Sequence, residues 1–391
     1  MKARNCPSCG SGACELFYEL ASVPTNSRCL SSSRDRAVTL PRGDIVLKFC
    51  RACGLVFNSA FDPGLVADRN RADEIEVGSP IYTAFERHLA DQLIERYGLR
   101  GKSILEVGYG RGELVQLLCD RGINRRAEPE ASSGPGPPQW QATTEPRLLH
   151  ERMSGTATLP ADLVCGQGSL QEVAELAPFL GSLKDALRGN TRLFLQVDNF
   201  ARTLRHVGFW EIDYTSCSYF SPGTMYRLLQ SGGFVVSEVW TDFEAEYLMA
   251  DVRTASPGAT QAGMIGSIET LGELEVLVAR FAQECREKQA LWCEILRKLA
   301  RAGNRIAVWG AGSRTVSFLT TLAVGDEVSY VVDMNSGRQG KFTPGTGHRI
   351  VGPDAMTSLC PDVVIVMNSV FAFEIRDALT RAGCAPTLLI A

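Results

Sequence analysis

The chain has 391 residues, 45% hydrophobic and 21% charged, enough for two or three packed domains and far from the charge-rich composition of disorder. Forty Lys+Arg against 44 Asp+Glu leave a formal charge of -4, which removes any general attraction to phosphate backbones or anionic lipid. No apolar run approaches the roughly 20 residues that span a bilayer, and the start MKARNCPSCG lacks an export signal's apolar stretch. The expectation is a cytoplasmic protein with neither nucleic acid nor membrane as partner, the sequence leaving monomer and homodimer open.

Thirteen cysteines without an export signal argue against a complete disulfide framework and for reduced thiols or metal ligation. Cys6 with Cys9, and Cys50 with Cys53, form two C-x2-C pairs, each followed by glycine, Gly10 and Gly54. Two thiolates at that spacing face one ion across a tight turn, so the two pairs predict a closed, four-thiolate Zn2+ site that holds a core-poor segment folded. Cys14 and Cys29 lack a paired partner and read as ordinary thiols. A strand is expected near Asp44 to Phe49.

From Ala84 the apolar stripe Phe85, Leu89, Leu93, Ile94, Tyr97 predicts a helix ending at Gly98. Ser103 to Gly112, SILEVGYGRG, then reads as strand, glycine loop and helix start, an order that lets bare backbone approach a nucleotide-type ligand. The predicted cofactor-binding residues are Glu106, Gly108, Gly110 and Gly112, with Glu130 as the acid about 20 residues on that would hold ribose hydroxyls. Pro129 interrupts that second strand, and residues 131–160 read as a loop. Strands at Ala161 to Cys165 and Arg192 to Val197 flank a helix expected over Leu170 to Leu187, and a helix at Tyr226 to Leu229 leads into a strand at Phe234 to Val236. This alternation is that of a doubly wound α/β sheet.

A connector at Pro257 to Gly266 precedes a long helical pattern, Leu271 to Arg301, read as a spacer helix. Arg305 to Gly312, RIAVWGAG, opens a second strand and glycine turn, followed by a strand that ends at Asp333. Thr315 stands where a third glycine would be, so a dinucleotide is not secured. Gly340 to His348, GKFTPGTGH, is suited to cradling an anion or to a plain structural loop, and Asp362 to Asn368 is one more strand. The expected division is 1–68, a zinc-binding module; 69–255, the first glycine-loop domain; 256–304, connector and helix; and 305–391, a Rossmann-like domain.

The loop at Glu106 to Gly112 is similar to the first motif of class I S-adenosylmethionine methyltransferases. The two cysteine pairs, ILEVGYGRG, CSYFS at Cys217 to Ser221, AVWGAGS at Ala307 to Ser313, VVDMN at Val331 to Asn335 and KFTPGTGH, in that order, resemble the sugar C-methyltransferases of deoxysugar biosynthesis. The resemblance implies a zinc module, a class I methyltransferase sheet binding S-adenosylmethionine, and a second Rossmann-like domain. The acceptor, usually a nucleotide-linked ketosugar, would lie between domains. The family's Tyr-x-Glu-His stretch is replaced here by Asp213-Tyr-Thr-Ser216, and a histidine-bearing stretch by GQGSLQE at Gly166 to Glu172. The candidates for catalysis are therefore Tyr214, Ser216, His206 and Tyr219, with Asp213 and Glu211 beside them. The reading that follows is carbon methylation of a small carbonyl-containing metabolite. The alternative is a methyltransferase-like scaffold that has lost methyl transfer and serves another reaction or a binding role.

Overall fold

The computed structural model describes residues 5–66, 79–107, 112–127, 161–187, 191–254 and 268–391. At its amino-terminal end β1 (Cys14–Pro24) and β2 (Arg42–Cys50) run antiparallel with Cys14 opposite Cys50, joined through the short α1 (Arg34–Val38), and β3 (Val56–Asn58) pairs with the other edge of β2. Ile45, Leu47 and Phe49 alternate into the core, the period-2 pattern of a strand with one buried face. Pairing β1 with β2 also brings the two cysteine turns together.

The central sheet follows. Ser79 caps α2 (Pro80–Tyr97), its side chain accepting from the Tyr82 N–H, and Pro80 fills a position whose N–H has no helical partner. The chain continues through β4 (Ser103–Glu106), α3 (Glu113–Gly122), β5 (Arg125–Arg126), β6 (Leu163–Gln167), α4 (Leu176–Ala186), β7 (Arg192–Asp198) and α5 (Phe200–His206). It then forms β8 (Ser218–Tyr219), α6 (Pro222–Ser231), β9 (Phe234–Asp242) and β10 (Tyr247–Thr254). The strand order is β5-β4-β6-β7-β10-β9, the first four parallel and β10 antiparallel to both of its neighbours. β4 is buried throughout, as a strand covered on both faces must be. The helix expected over Leu170 to Leu187 is instead a 3-10 turn at Leu170–Glu172 and then α4. Pro178 explains the break: lacking an N–H, it is tolerated in a first helical turn but not in a helix interior. Sequence periodicity gave no sign of β10, nor of β8 leaving this region to pair with β3 as the fourth strand of the amino-terminal sheet.

Thr270 and Glu273 form a reciprocal capping box at the start of α7 (Leu271–Arg301). Then come β11 (Ile306–Trp309), α8 (Ser313–Thr321), β12 (Tyr330–Val332), β13 (Ile350–Val351), α9 (Met356–Leu359), β14 (Val363–Val366), α10 (Ala372–Arg381) and β15 (Thr387–Ile390). The five strands are parallel, in the order β13-β12-β11-β14-β15. α7 does more than space two domains. Its buried stripe puts Phe281 edge-on to Phe17 and Tyr18 of β1, at 6.1 and 5.8 Å, and Trp292 edge-on to Phe318 of α8 at 5.2 Å.

The glycine-rich stretch at 340–348 is a clamp on the amino-terminal sheet and takes no part in lining the cavity between the two larger sheets. Phe342 bridges to Ser31, the Gly345 N–H donates to the Ala37 carbonyl, and a Cβ at Gly345 would fall 2.4 Å from the Pro24 ring. His348 is buried, with ring nitrogens on Thr346 Oγ1 (2.9 Å) and the Gly325 carbonyl (3.0 Å). Among the described residues no helix is long and apolar enough to cross a membrane.

Candidate active site

Ligands of open α/β sheets bind outside the carboxyl ends of the strands. Here two such rims face each other. Gln167, Gln196 and Asp198, at the ends of β6 and β7, and Gly310, Asp333 and Asn368, following β11, β12 and β14, line one cavity of about 870 Å³. Arg28, from the loop after β1, closes a third side.

At the β4 rim Glu106 is buried, its Oε1 accepting from the Gly112 N–H at the start of α3 (3.2 Å) and its Oε2 lying 3.4 Å from Arg126. Burial pushes this carboxyl above its usual range, against the pull of the Gly112 amide and Arg126. Gly112 has φ +77, the left-handed region that favours glycine, and a Cβ there would displace the Arg126 guanidinium, 2.8 Å away. Gly108, Gly110 and Glu130 lie outside the described residues.

On the opposite rim the glycine turn after β11 is closed by the Thr315 hydroxyl, which donates to the Gly310 carbonyl. Asp333 accepts from the Ala311 N–H at 2.7 Å and pairs with Arg338 at 3.1 Å, so this acid holds the turn in place. One residue of the turn reaches across. Arg314 bonds Glu211 (Nε to Oε2, 2.7 Å) and Glu246, while Arg202 of α5 pairs with Glu246 at 2.6 Å and with Glu211 at 3.6 Å. Glu246 comes from the β9–β10 turn, where Phe243, Glu244 and Ala245 all have φ between 52° and 59°. Three successive left-handed residues with side chains are costly. Asn199 holds the turn, its N–H donating to the Glu246 carbonyl and its Nδ2 to the Ala245 carbonyl.

Burial pushes Glu211 up to about 7 despite Arg314, with Glu246 and Asp198 adding to the rise. Asp198 is exposed to the cavity space yet ringed by protein, and this enclosure pushes it up to about 6; Arg314 and Arg28 oppose the rise, and Glu246 and Asp213 add to it. Its Oδ2 accepts from Gln171 Nε2 at 3.0 Å. Asp198 carries a signal that sequence reasoning passed over: like Glu106, it is an acid closing a buried strand.

Of the four residues predicted for catalysis, Ser216 lines the cavity, its N–H donating to Asp213 Oδ1 at 3.0 Å. Tyr214 does not. Its ring packs at 5.4 Å from Phe61 and against the bare face of Gly43, and its hydroxyl accepts from the Asp62 N–H. Tyr219 is buried with its hydroxyl donating to the Asp213 carbonyl, and burial, with Asp213 nearby, drives its pKa well up. His206 sits largely exposed at the end of α5, off the cavity, and partial desolvation together with the positive charges of Arg202 and Lys288 lowers its pKa. Of the two acids set beside them, Asp213 lines the cavity but is held by Ser27, Thr215 and Ser216, and Glu211 lines it tied to Arg314.

Away from the cavity, the sulfurs of Cys6, Cys9, Cys50 and Cys53 all lie within 4.8 Å of one another, with Cys6–Cys53 and Cys9–Cys50 at 3.6 Å. Tetrahedral Zn–S bonds of about 2.3 Å require sulfurs about 3.8 Å apart, so the donor set fits zinc. Cys14 lies outside this group, its sulfur 3.4 Å from the Ser11 carbonyl.

A family model described as "Methyltransferase domain" matches residues 82–239, and one described as "C-methyltransferase C-terminal domain" matches 269–385. The C-methyltransferase NovU of Streptomyces niveus is 25% identical over 407 aligned residues, covering 95% of this chain and 91% of the relative. Solved structures resemble the chain more distantly. The 1,6-didemethyltoxoflavin-N1-methyltransferase of Burkholderia thailandensis is 16% identical over 45% of this chain and 82% of its own, with a TM-score of 0.30. An S-adenosylmethionine-dependent methyltransferase of Clostridium acetobutylicum is 10% identical over 48% and 96%, with a TM-score of 0.31. With both domain families matched in tandem and a C-methyltransferase similar to it along nearly its whole length, this protein is a methyltransferase.

Proposed function

We propose that the protein transfers the methyl group of S-adenosylmethionine to carbon in a small carbonyl-containing metabolite of the nucleotide-linked ketosugar class. The observation that carries this reading is the shared cavity, with a glycine-loop sheet on one side, a second glycine turn on the other, and carboxylates of raised pKa between them. When bound, S-adenosylmethionine supplies an electrophilic methyl on a sulfonium. Glu106 and the amide of Gly112, with Gly108, Gly110 and Glu130 beyond the described residues, would hold it. Gln167 and Gln196, linked at 3.1 Å, offer polar groups on the rim beside it. Cys6, Cys9, Cys50 and Cys53 would hold Zn2+ in a closed site that organises the amino-terminal sheet and takes no part in the chemistry.

One contact favours a second reading, the scaffold that no longer methylates: Arg126 leans on Glu106 at the rim where the donor would sit. Isothermal titration with S-adenosylmethionine, followed by a mass-spectrometric screen of ketosugar nucleotides with a trideuteromethyl donor, separates the two. Binding with a methyl-sized mass gain supports methyl transfer. Binding of neither donor nor acceptor removes it.

A further inference from the structure

The segment that usually supplies proton removal in the resembled family is rebuilt here, and of the four residues that the sequence offers in its place one, Ser216, lines the cavity. Carbon methylation next to a carbonyl still needs a base. The acids around the site differ in how they are held. Glu211 and Glu246 are tied by Arg314 and Arg202, and Asp213 is saturated by the Ser27 and Thr215 hydroxyls and the Ser216 N–H. Asp333 is occupied by Ala311, Asn335 and Arg338. Glu374, also on the cavity wall, is held by the Ser79 hydroxyl and the Ile81 N–H, and Asp198 differs from all five. It stands at the carboxyl end of β7, beside the β6 rim and exposed to the cavity, with Oδ2 fixed by Gln171 and Oδ1 taking no hydrogen bond among the described residues.

We propose that Asp198 is the catalytic base that takes the proton from the carbon beside the acceptor's carbonyl, an assignment resting on the methyl-transfer reading above. The C–H bond breaks and an O–H bond forms at Asp198 Oδ1, and the C–H pair moves into the enolate. The enolate carbon then bonds the sulfonium methyl, the methyl–sulfur bond breaks with its pair left on sulfur, and Asp198 returns its proton to water. The charges facing the carboxylate tune it: Arg314 from the β11 turn, Arg28 from the amino-terminal loop, Glu246 from the β9–β10 turn, and Asp213 and Glu211 from the stretch before β8. With the group held at about 6, the base form dominates at neutral pH while the protonated form stays within reach.

The test uses the full chain with thymidine-diphosphate-linked 4-keto-6-deoxyglucose as the probe acceptor. Two rates are read: methyl transfer, and deuterium exchange at the carbon beside the carbonyl in heavy water with S-adenosylhomocysteine present. Asp198→Asn is expected to lose about 100-fold or more of both, with the S-adenosylmethionine Kd unchanged and the wild-type fall in kcat/KM below about pH 6 abolished. Asp198→Ala, which opens space at the same place, is expected to regain exchange with added formate. Asp198→Asn keeping both rates within about threefold overturns the assignment. A wild-type chain that binds S-adenosylmethionine but neither methylates nor exchanges the probe overturns the methyl-transfer reading, and the base with it.

Discussion

At the scale of residues, the cavity's charges are its main liability and its main resource. Asp198 has an ordinary carboxyl in the unfolded chain and one raised to about 6 in the folded chain, so the folded state binds its proton more tightly. Its contribution to stability is therefore fully present below about pH 4 and is lost as pH rises through 6. Asp198→Asn should raise the melting temperature at pH 8, with a gain that shrinks to nothing toward pH 4; an equal gain at both pH values would contradict the charge argument. Arg314 works in the opposite sense. Removing it leaves Glu211 and Glu246 sharing Arg202, so Arg314→Ala should cost about 3–5 kcal/mol in urea unfolding, far above the 0–1 kcal/mol of an exposed pair.

Among the elements, the β9–β10 hairpin shows strain held in place to aim a side chain. Its turn keeps Ala245 at φ 59° so that Glu246 meets both Arg202 and Arg314. Ala245→Gly should stabilise the protein by about 1 kcal/mol, read as a shift in urea midpoint at constant m-value; a loss would mean that the turn is not strained. Much of the surrounding architecture was legible because single local signals decide it. The Leu271–Arg301 helix announces itself by its long helical pattern rich in Leu, Arg and Glu, and β4, β7, β11 and β14 by short apolar runs bounded by glycine or acid. What escaped was set by contacts distant in sequence. β8 joins a strand some 160 residues earlier, the glycine-rich stretch at 340–348 packs on α1 and β1 where an anion cradle was one expectation, and Tyr214 is drawn into the core by Phe61 and Gly43. The cysteine cluster was the part of the site most visible in sequence, because thiolate spacing is itself the geometry. Asp198 could have been marked as a rim acid by its place at the end of a buried strand, but its meeting with Arg314 was hidden, because nothing in either local stretch shows that the two rims oppose.

Taken as a whole molecule, three sheets share surfaces: α7 joins the first to the last, β8 joins the first to the middle, and Arg314 joins the last to the middle. Metal at the four cysteines would then support the entire assembly. Metal analysis should find about one zinc per chain, lost in Cys9→Ser, and chelation should lower the melting temperature; a metal-free chain of undiminished stability would contradict that role. The central claim is transfer to carbon within the shared cavity, and carbon-13 NMR of the product formed from S-adenosylmethionine labelled in its methyl group tests it most directly. With the ketosugar nucleotide as acceptor, the labelled methyl is predicted to couple to the sugar carbon beside the carbonyl. A label found on oxygen or nitrogen, or left entirely on the donor, would contradict the account.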